Sequence, residues 1–169
     1  DHGAFLVMRL VRGGSLRDRL AVQGRLDSKQ VLRVYDHIGA ALDVSHAAGV
    51  IHRDIKPDNI LLDQYDNAYL TDFGIAKNLN LNTQLTFNED SIIGTPAYLA
   101  PEQIRNEPLS SQTDIYSCGL MLYELVTGKQ PFDSPGMGII ISHLEQPVPS
   151  VLETDPDLPP ALDDIIHRA

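Results

Sequence analysis

The chain has 169 residues, enough for one domain with a core and too few for two ordinary ones. Its 13 Lys and Arg against 23 Asp and Glu give a formal charge of −10, which argues against nonspecific binding to nucleic acid or to anionic membrane surfaces. Hydrophobic residues at 43% mark a globular chain, and a lone Cys118 excludes an internal disulfide or a cysteine-based zinc site.

The first residues, Asp1-His2-Gly3, look like neither a signal peptide nor a natural start. No apolar run reaches the roughly 18 residues of a membrane helix, and a reduced, cytoplasmic setting fits. Ala4 to Leu10 reads as a strand, broken by Gly13-Gly14. Ser15 opens a short helix with Asp18 as its capping-box partner, and Gly24 ends it. Ser28 reads as the next cap. Val31, Val34, Tyr35, Ile38, Ala41, Leu42 and Ser45 then form one face of a long amphipathic helix that Gly49 closes. Ile60–Asp63 and Ala68–Thr71 read as strands joined by the turn-rich residues 64–67. Residues 75–95 lack hydrophobic periodicity and read as a long loop, of a length that tends to be functional or mobile. A second strong helix runs from about Thr113 to Val126, with Ile115, Cys118, Leu122 and Leu125 on one face and Gly128 as its stop. Ile139 to Leu144 suggests a third. Residues 147–160 read as an irregular surface connection, and Leu162 to Ala169 starts another helix.

The chemistry concentrates in Ile51-His52-Arg53-Asp54-Ile55-Lys56-Pro57-Asp58-Asn59-Ile60-Leu61-Leu62. Phosphoryl transfer from a nucleotide needs a carboxylate to orient a hydroxyl and take its proton, a cation near the phosphoryl oxygens, and oxygen ligands for Mg²⁺. Asp54, Lys56 and Asn59 can fill those roles on a loop stiffened by Pro57. Asp72-Phe73-Gly74 follows directly after a strand, which places a second carboxylate to hold Mg²⁺. Gly94-Thr95-Pro96-Ala97-Tyr98-Leu99-Ala100-Pro101-Glu102 completes the set. Cys118 reads as a buried small hydrophobe, and His37, His46 and His143 as surface or helix-packing residues without a metal pattern. Gly128-Lys129 and Gly136-Met137-Gly138 lack the remainder of any phosphate loop.

In order and spacing these three blocks resemble the catalytic loop, Mg-binding loop and activation-segment end of a protein kinase, with Ile55 where the common pattern has Leu. The resemblance covers nearly the whole chain. It implies a mainly α protein with a few short strands, in a protein kinase-like fold: the large helical lobe plus the final strand of the small lobe. Residues 1–10 would be that strand, 11–14 the hinge, and 15–169 the large lobe, with an activation segment over 72–102. It makes Asp54 the catalytic base, Lys56 the phosphate-facing cation, and Asn59 and Asp72 the Mg²⁺ ligands. Thr95 would hydrogen-bond toward Asp54 and Lys56. Met8, Arg9, Val11 and Leu61 would surround the nucleotide, with Met8 as gatekeeper, although Met8 by itself is more safely described as core. His52 and Phe73 would belong to a regulatory stack, Asp114 would anchor the catalytic loop, and Glu102 would usually pair with an arginine. Arg53 would form the pocket for an activation-loop phosphate, with Thr86 and Ser91 as candidate phosphosites. Glu89 or Asp90 would be a weaker partner for Arg53, against the reading of a solvated acidic loop. Gln103 and the Asp114-Ile115-Tyr116-Ser117 run look bacterial.

The resemblance implies a non-specific serine/threonine protein kinase with ATP and Mg²⁺ as cofactors. Its partners would be Ser/Thr-bearing proteins and a second copy for autophosphorylation, with no nucleic acid and no membrane segment in this stretch. A pseudokinase and a small-molecule phosphotransferase are the alternatives. The Gly-x-Gly-x-x-Gly loop and small-lobe Lys do not occur in these 169 residues, so the sequence reads as a fragment with negligible activity by itself.

Overall fold

A computed structural model describes residues 7–73 and 96–169 of the chain. Residues 4–6 of the expected first strand, the expected long loop with Thr86, Glu89, Asp90 and Ser91, and Thr95 lie outside the described residues. Helix α1 (Leu16–Gln23) begins where the Ser15 hydroxyl accepts from the Asp18 amide at 3.1 Å while the Asp18 carboxylate accepts from the Ser15 amide at 2.8 Å. Gly24 ends it at φ +78°, a left-handed conformation open to glycine. Helix α2 (Ser28–Ala47) is capped by Asp27, with Ser28 already helical, which corrects the expected cap. A reciprocal box needs a Gln or Glu three residues on; Gln30 stands there for Asp27 and Val31 for Ser28. The α2 stripe is buried at Val31, Val34, Ile38 and Leu42, and Gly49 follows the helix at φ +73°.

Strands β1 (Ile60–Leu62) and β2 (Ala68–Leu70) pair antiparallel with Leu61 opposite Tyr69. Asp63 holds their turn, accepting from the Tyr65 amide and from the amide and side chain of Asn67 at 2.8–2.9 Å; these bonds pull its carboxyl down to about 2. The hairpin is fastened to the preceding segment by Gly13 N to Leu62 O and Leu62 N to Gly14 O, both 2.8 Å. A Cβ at Gly13 would collide with the carbonyl oxygens of Leu62 and Asp63, so this approach requires glycine.

Residues 7–10 form no strand, and Met8 is 65% exposed rather than core. A strand needs a neighbour's backbone groups, and no described segment supplies them to these residues.

Past the short helix α3 (Pro101–Ile104), α4 (Ser111–Thr127) runs through the middle of the lobe. Helices α2, α6 (Val151–Thr154) and α7 (Pro160–Arg168) pack on it, as does the 3₁₀ turn Pro96–Tyr98. Residues Gly119 to Val126 are consequently buried without interruption, while Ile115, expected inside, is 38% exposed. A stretch packed all round, as residues 119–126 are, has no single apolar face to read. Gly128 ends it at φ +75°. Helix α6 lies inside the stretch expected to be irregular, because Val151 is fully buried there and Ser150 caps it. Cys118, expected buried, is half-buried at the edge of the core, and desolvation pushes its thiol up to about 12.

Helix α5 (Met137–Glu145) buries His143 against Phe132, 4.9 Å between ring centroids, with the Tyr116 hydroxyl 3.1 Å from its Nδ1. Burial holds this imidazole down at about 4, against about 6.5 in the open. The unfolded chain therefore binds the extra proton first as pH falls, and stability drops between about pH 6.5 and 4. Urea midpoints taken across that window should decline on acidification, and His143→Gln should flatten the decline.

Candidate active site

The site hangs from one buried carboxylate. Asp114, in the first turn of α4, is fully buried. Its oxygens accept from the backbone amides of His52 and Arg53, each at 2.8 Å, and lie 2.7 Å from Nε2 of His46 near the end of α2. Two amides that no strand or helix could satisfy are thereby paired, and segment 51–60 is tied to the centre of the lobe. Arg53 takes φ +70° there, a left-handed value that a branched or long side chain adopts only under constraint. Gln103 supplies part of that constraint, donating from Nε2 to the Arg53 carbonyl at 2.9 Å.

His52 is the link between the two acidic loops. Its Nε2 donates to the Thr71 carbonyl at 2.9 Å, which leaves Nδ1 as the acceptor for the Asp54 amide at 3.3 Å. Phe73 packs on the imidazole with centroids 4.5 Å apart. Burial lowers the His52 pKa, so the ring is neutral and the tautomer is fixed by its two partners.

Asp54 sits in this frame with its carboxylate 3.0 Å from Lys56 Nζ and 2.9 Å from Asn59 Nδ2. Asn59 also donates to the Asp54 carbonyl at 2.8 Å, from a 3₁₀ turn over Pro57–Asn59. With its amide nitrogen so engaged, Asn59 has only Oδ1 to offer a cation. The Asn59 carbonyl accepts from the Thr71 amide at 3.0 Å, which draws Asp72 alongside. Asp72 is exposed and takes φ +58°. A carboxylate and an amide oxygen on adjacent turns form a hard donor set suited to Mg²⁺, which keeps several of its waters.

Next to this centre lies Tyr98, in the turn before α3. Its carbonyl accepts from the Ser117 hydroxyl at 2.7 Å and its hydroxyl bonds Glu124, buried on α4. Arg17 of α1 joins them, 2.7 Å from Glu124 and 3.3 Å from Asp58. Glu102 accepts from the Thr113 hydroxyl at 2.7 Å. Neither Arg17, Glu124 nor His46 was legible as a site residue. Arg17 looks like a solvated helix position and His46 like a packing residue, and their partners stand 107 and 68 residues away.

The nucleotide-side expectations fall less tightly together. Leu61 is half-buried and bridges Ser15, beside the Gly13–Gly14 segment. Arg9 stacks its guanidinium 5.0 Å from the Tyr69 ring centroid, Val11 is half-buried, and Met8 is exposed. Thr95 lies outside the described residues.

Comparison with known proteins finds similarity over nearly the whole chain. A family profile described as protein kinase domain matches residues 1–167. The chain is similar to the serine/threonine-protein kinase PrkC of Bacillus subtilis, 37% identical over 170 residues, covering 100% of this chain and 26% of the relative. It is similar to the probable serine/threonine-protein kinase PknB of Lactococcus lactis, 36% identical over 166 residues, with 98% and 26% covered. It is also similar to the serine/threonine-protein kinase PknA of Mycobacterium tuberculosis, 39% identical over 165 residues, with 97% and 37% covered. The chain thus spans about a quarter to a third of the length of these relatives.

Proposed function

Because the chain belongs to the protein kinase domain family, we propose that the full-length protein carrying it transfers the γ-phosphoryl group of ATP to Ser and Thr hydroxyls of proteins. The observation that carries the reading is the Asp54 carboxylate held between Lys56 and Asn59 on a loop suspended from Asp114. In the proposed reaction the substrate hydroxyl oxygen bonds to the γ-phosphorus as the bond to the leaving diphosphate oxygen breaks. Asp54 orients that hydroxyl and takes its proton, and Lys56 neutralises charge on the transferring oxygens. Asn59 and Asp72 would hold Mg²⁺, which when bound offsets the phosphate charges. Segment 96–102, braced by Tyr98, Ser117 and Glu124, would support the polypeptide substrate.

Arg53, next to Asp54, would receive a phosphate on Thr86 or Ser91. The proposed setting of the kinase domain is the cytoplasm, with any membrane anchor of the full-length protein outside these residues. Among the described residues no helix is long and apolar enough to cross a membrane. A panel of proteins and of sugar and antibiotic acceptors, incubated with ATP and Mg²⁺, tests the reading. Label on protein Ser or Thr supports it, and label on small molecules alone contradicts it.

A further inference from the structure

The β1–β2 turn over residues 63–67 is flanked by two recesses. One, of about 210 Å³, lies between α1, the start of α2 and the turn; its floor is Leu16, Leu26, Val34 and Leu62, and Arg19, Lys29 and Arg33 stand around it. The other, of about 300 Å³, lies between residues 9–12 and the turn and carries Arg9 and Arg12. Arg33 ties the two together by donating to the Tyr65 carbonyl at 3.0 Å, and Tyr65 stands 69% exposed between them.

The charge here runs against the rest of the molecule. Five of the 13 Lys and Arg line these recesses, but only three of the 23 Asp and Glu. All three acids are engaged. Asp27 accepts from the amides of Lys29 and Gln30, Asp63 from Asn67, and Asp66 from Arg19 at 2.6 Å. Among the described residues Arg12, Lys29 and Arg33 have no carboxylate partner.

We infer that this face is a docking surface for an acidic segment of a partner protein, with an aliphatic side chain seated in the recess floored by Leu16, Leu26, Val34 and Leu62. The 210 Å³ recess is smaller than the roughly 300–1,000 Å³ of a small-molecule or cofactor pocket and suits a single side chain. Exposed Tyr and Arg side chains are the residue types that anchor protein interfaces. A long polyanion would face the repulsion of a chain carrying −10, whereas a short acidic segment meets mainly the charges within a Debye length of about 8–10 Å. Nucleic acid is therefore the disfavoured occupant.

The test uses the full-length protein and a fluorescein-labelled peptide of about twelve residues, glutamates alternating with leucines, alongside its lysine counterpart. Anisotropy needs no catalysis, so its outcome stands apart from that of the kinase reading. The acidic peptide should bind and the lysine peptide should not. Lys29→Glu with Arg33→Glu should weaken binding about tenfold or more, with turnover of a generic substrate unchanged. No binding of the acidic peptide, equal binding of the lysine peptide, no effect of the reversals, or tighter binding of a single-stranded oligonucleotide at the same salt would each overturn the inference.

Discussion

Replacing Asp54 with Asn in the full-length protein is expected to lower kcat by about 10²–10⁴-fold, the range for losing a positioned proton acceptor. The KM for ATP should change little, because Asp54 is assigned to the acceptor hydroxyl. The substitution is close to isosteric, and Asn59 and Lys56 still have an oxygen to address at that position. What disappears is the negative charge that attracts the substrate proton. A steady-state titration of both substrates separates the outcomes. A variant whose kcat stays within a few-fold of wild type would remove Asp54 from the chemistry.

Asp114→Ala is expected to cost stability as well as turnover. Three contacts end at this carboxylate, and the substitution leaves the His52 and Arg53 amides buried without an acceptor. At about 1–3 kcal/mol for each of these two orphaned groups, the loss is about 2–6 kcal/mol. For a domain of this size that corresponds to a fall in Tm of about 10 °C. Asp114→Asn keeps one acceptor oxygen and should fall between the two. The activity of the Ala variant should drop even below its unfolding temperature, because the left-handed turn at Arg53 loses its tether and Asp54 loses its orientation. A Tm change within about 2 °C for the Ala variant would show that the loop is held by other contacts.

The elements that sequence could reveal are those fixed by short-range chemistry. Ser15 and Asp18 meet within one turn, Gly49 and Gly128 close their helices by φ alone, and the 60–70 hairpin is written in apolar runs around a turn. Asp54, Lys56 and Asn59 meet for the same reason, being spaced over six residues. Longer-range features were not legible. The Arg17–Glu124–Tyr98 cluster and the His46–Asp114 contact join residues whose spacing carries no period. The positive φ at Arg53 depends on bonds to Asp114 and Gln103, and the residue type does not signal it. Central helix α4 differs again: its second half, residues 119–126, is buried on every side and carries no period.

The central claim is that this loop system moves a phosphoryl group onto protein hydroxyls. It is tested most directly by incubating the full-length protein with γ-labelled ATP, Mg²⁺ and a protein acceptor, then identifying the labelled amino acid. The account predicts phosphoserine and phosphothreonine, absent when Mg²⁺ is chelated and absent with Asp72→Ala. ATP bound without any label on protein, or label that survives Asp72→Ala, would contradict it.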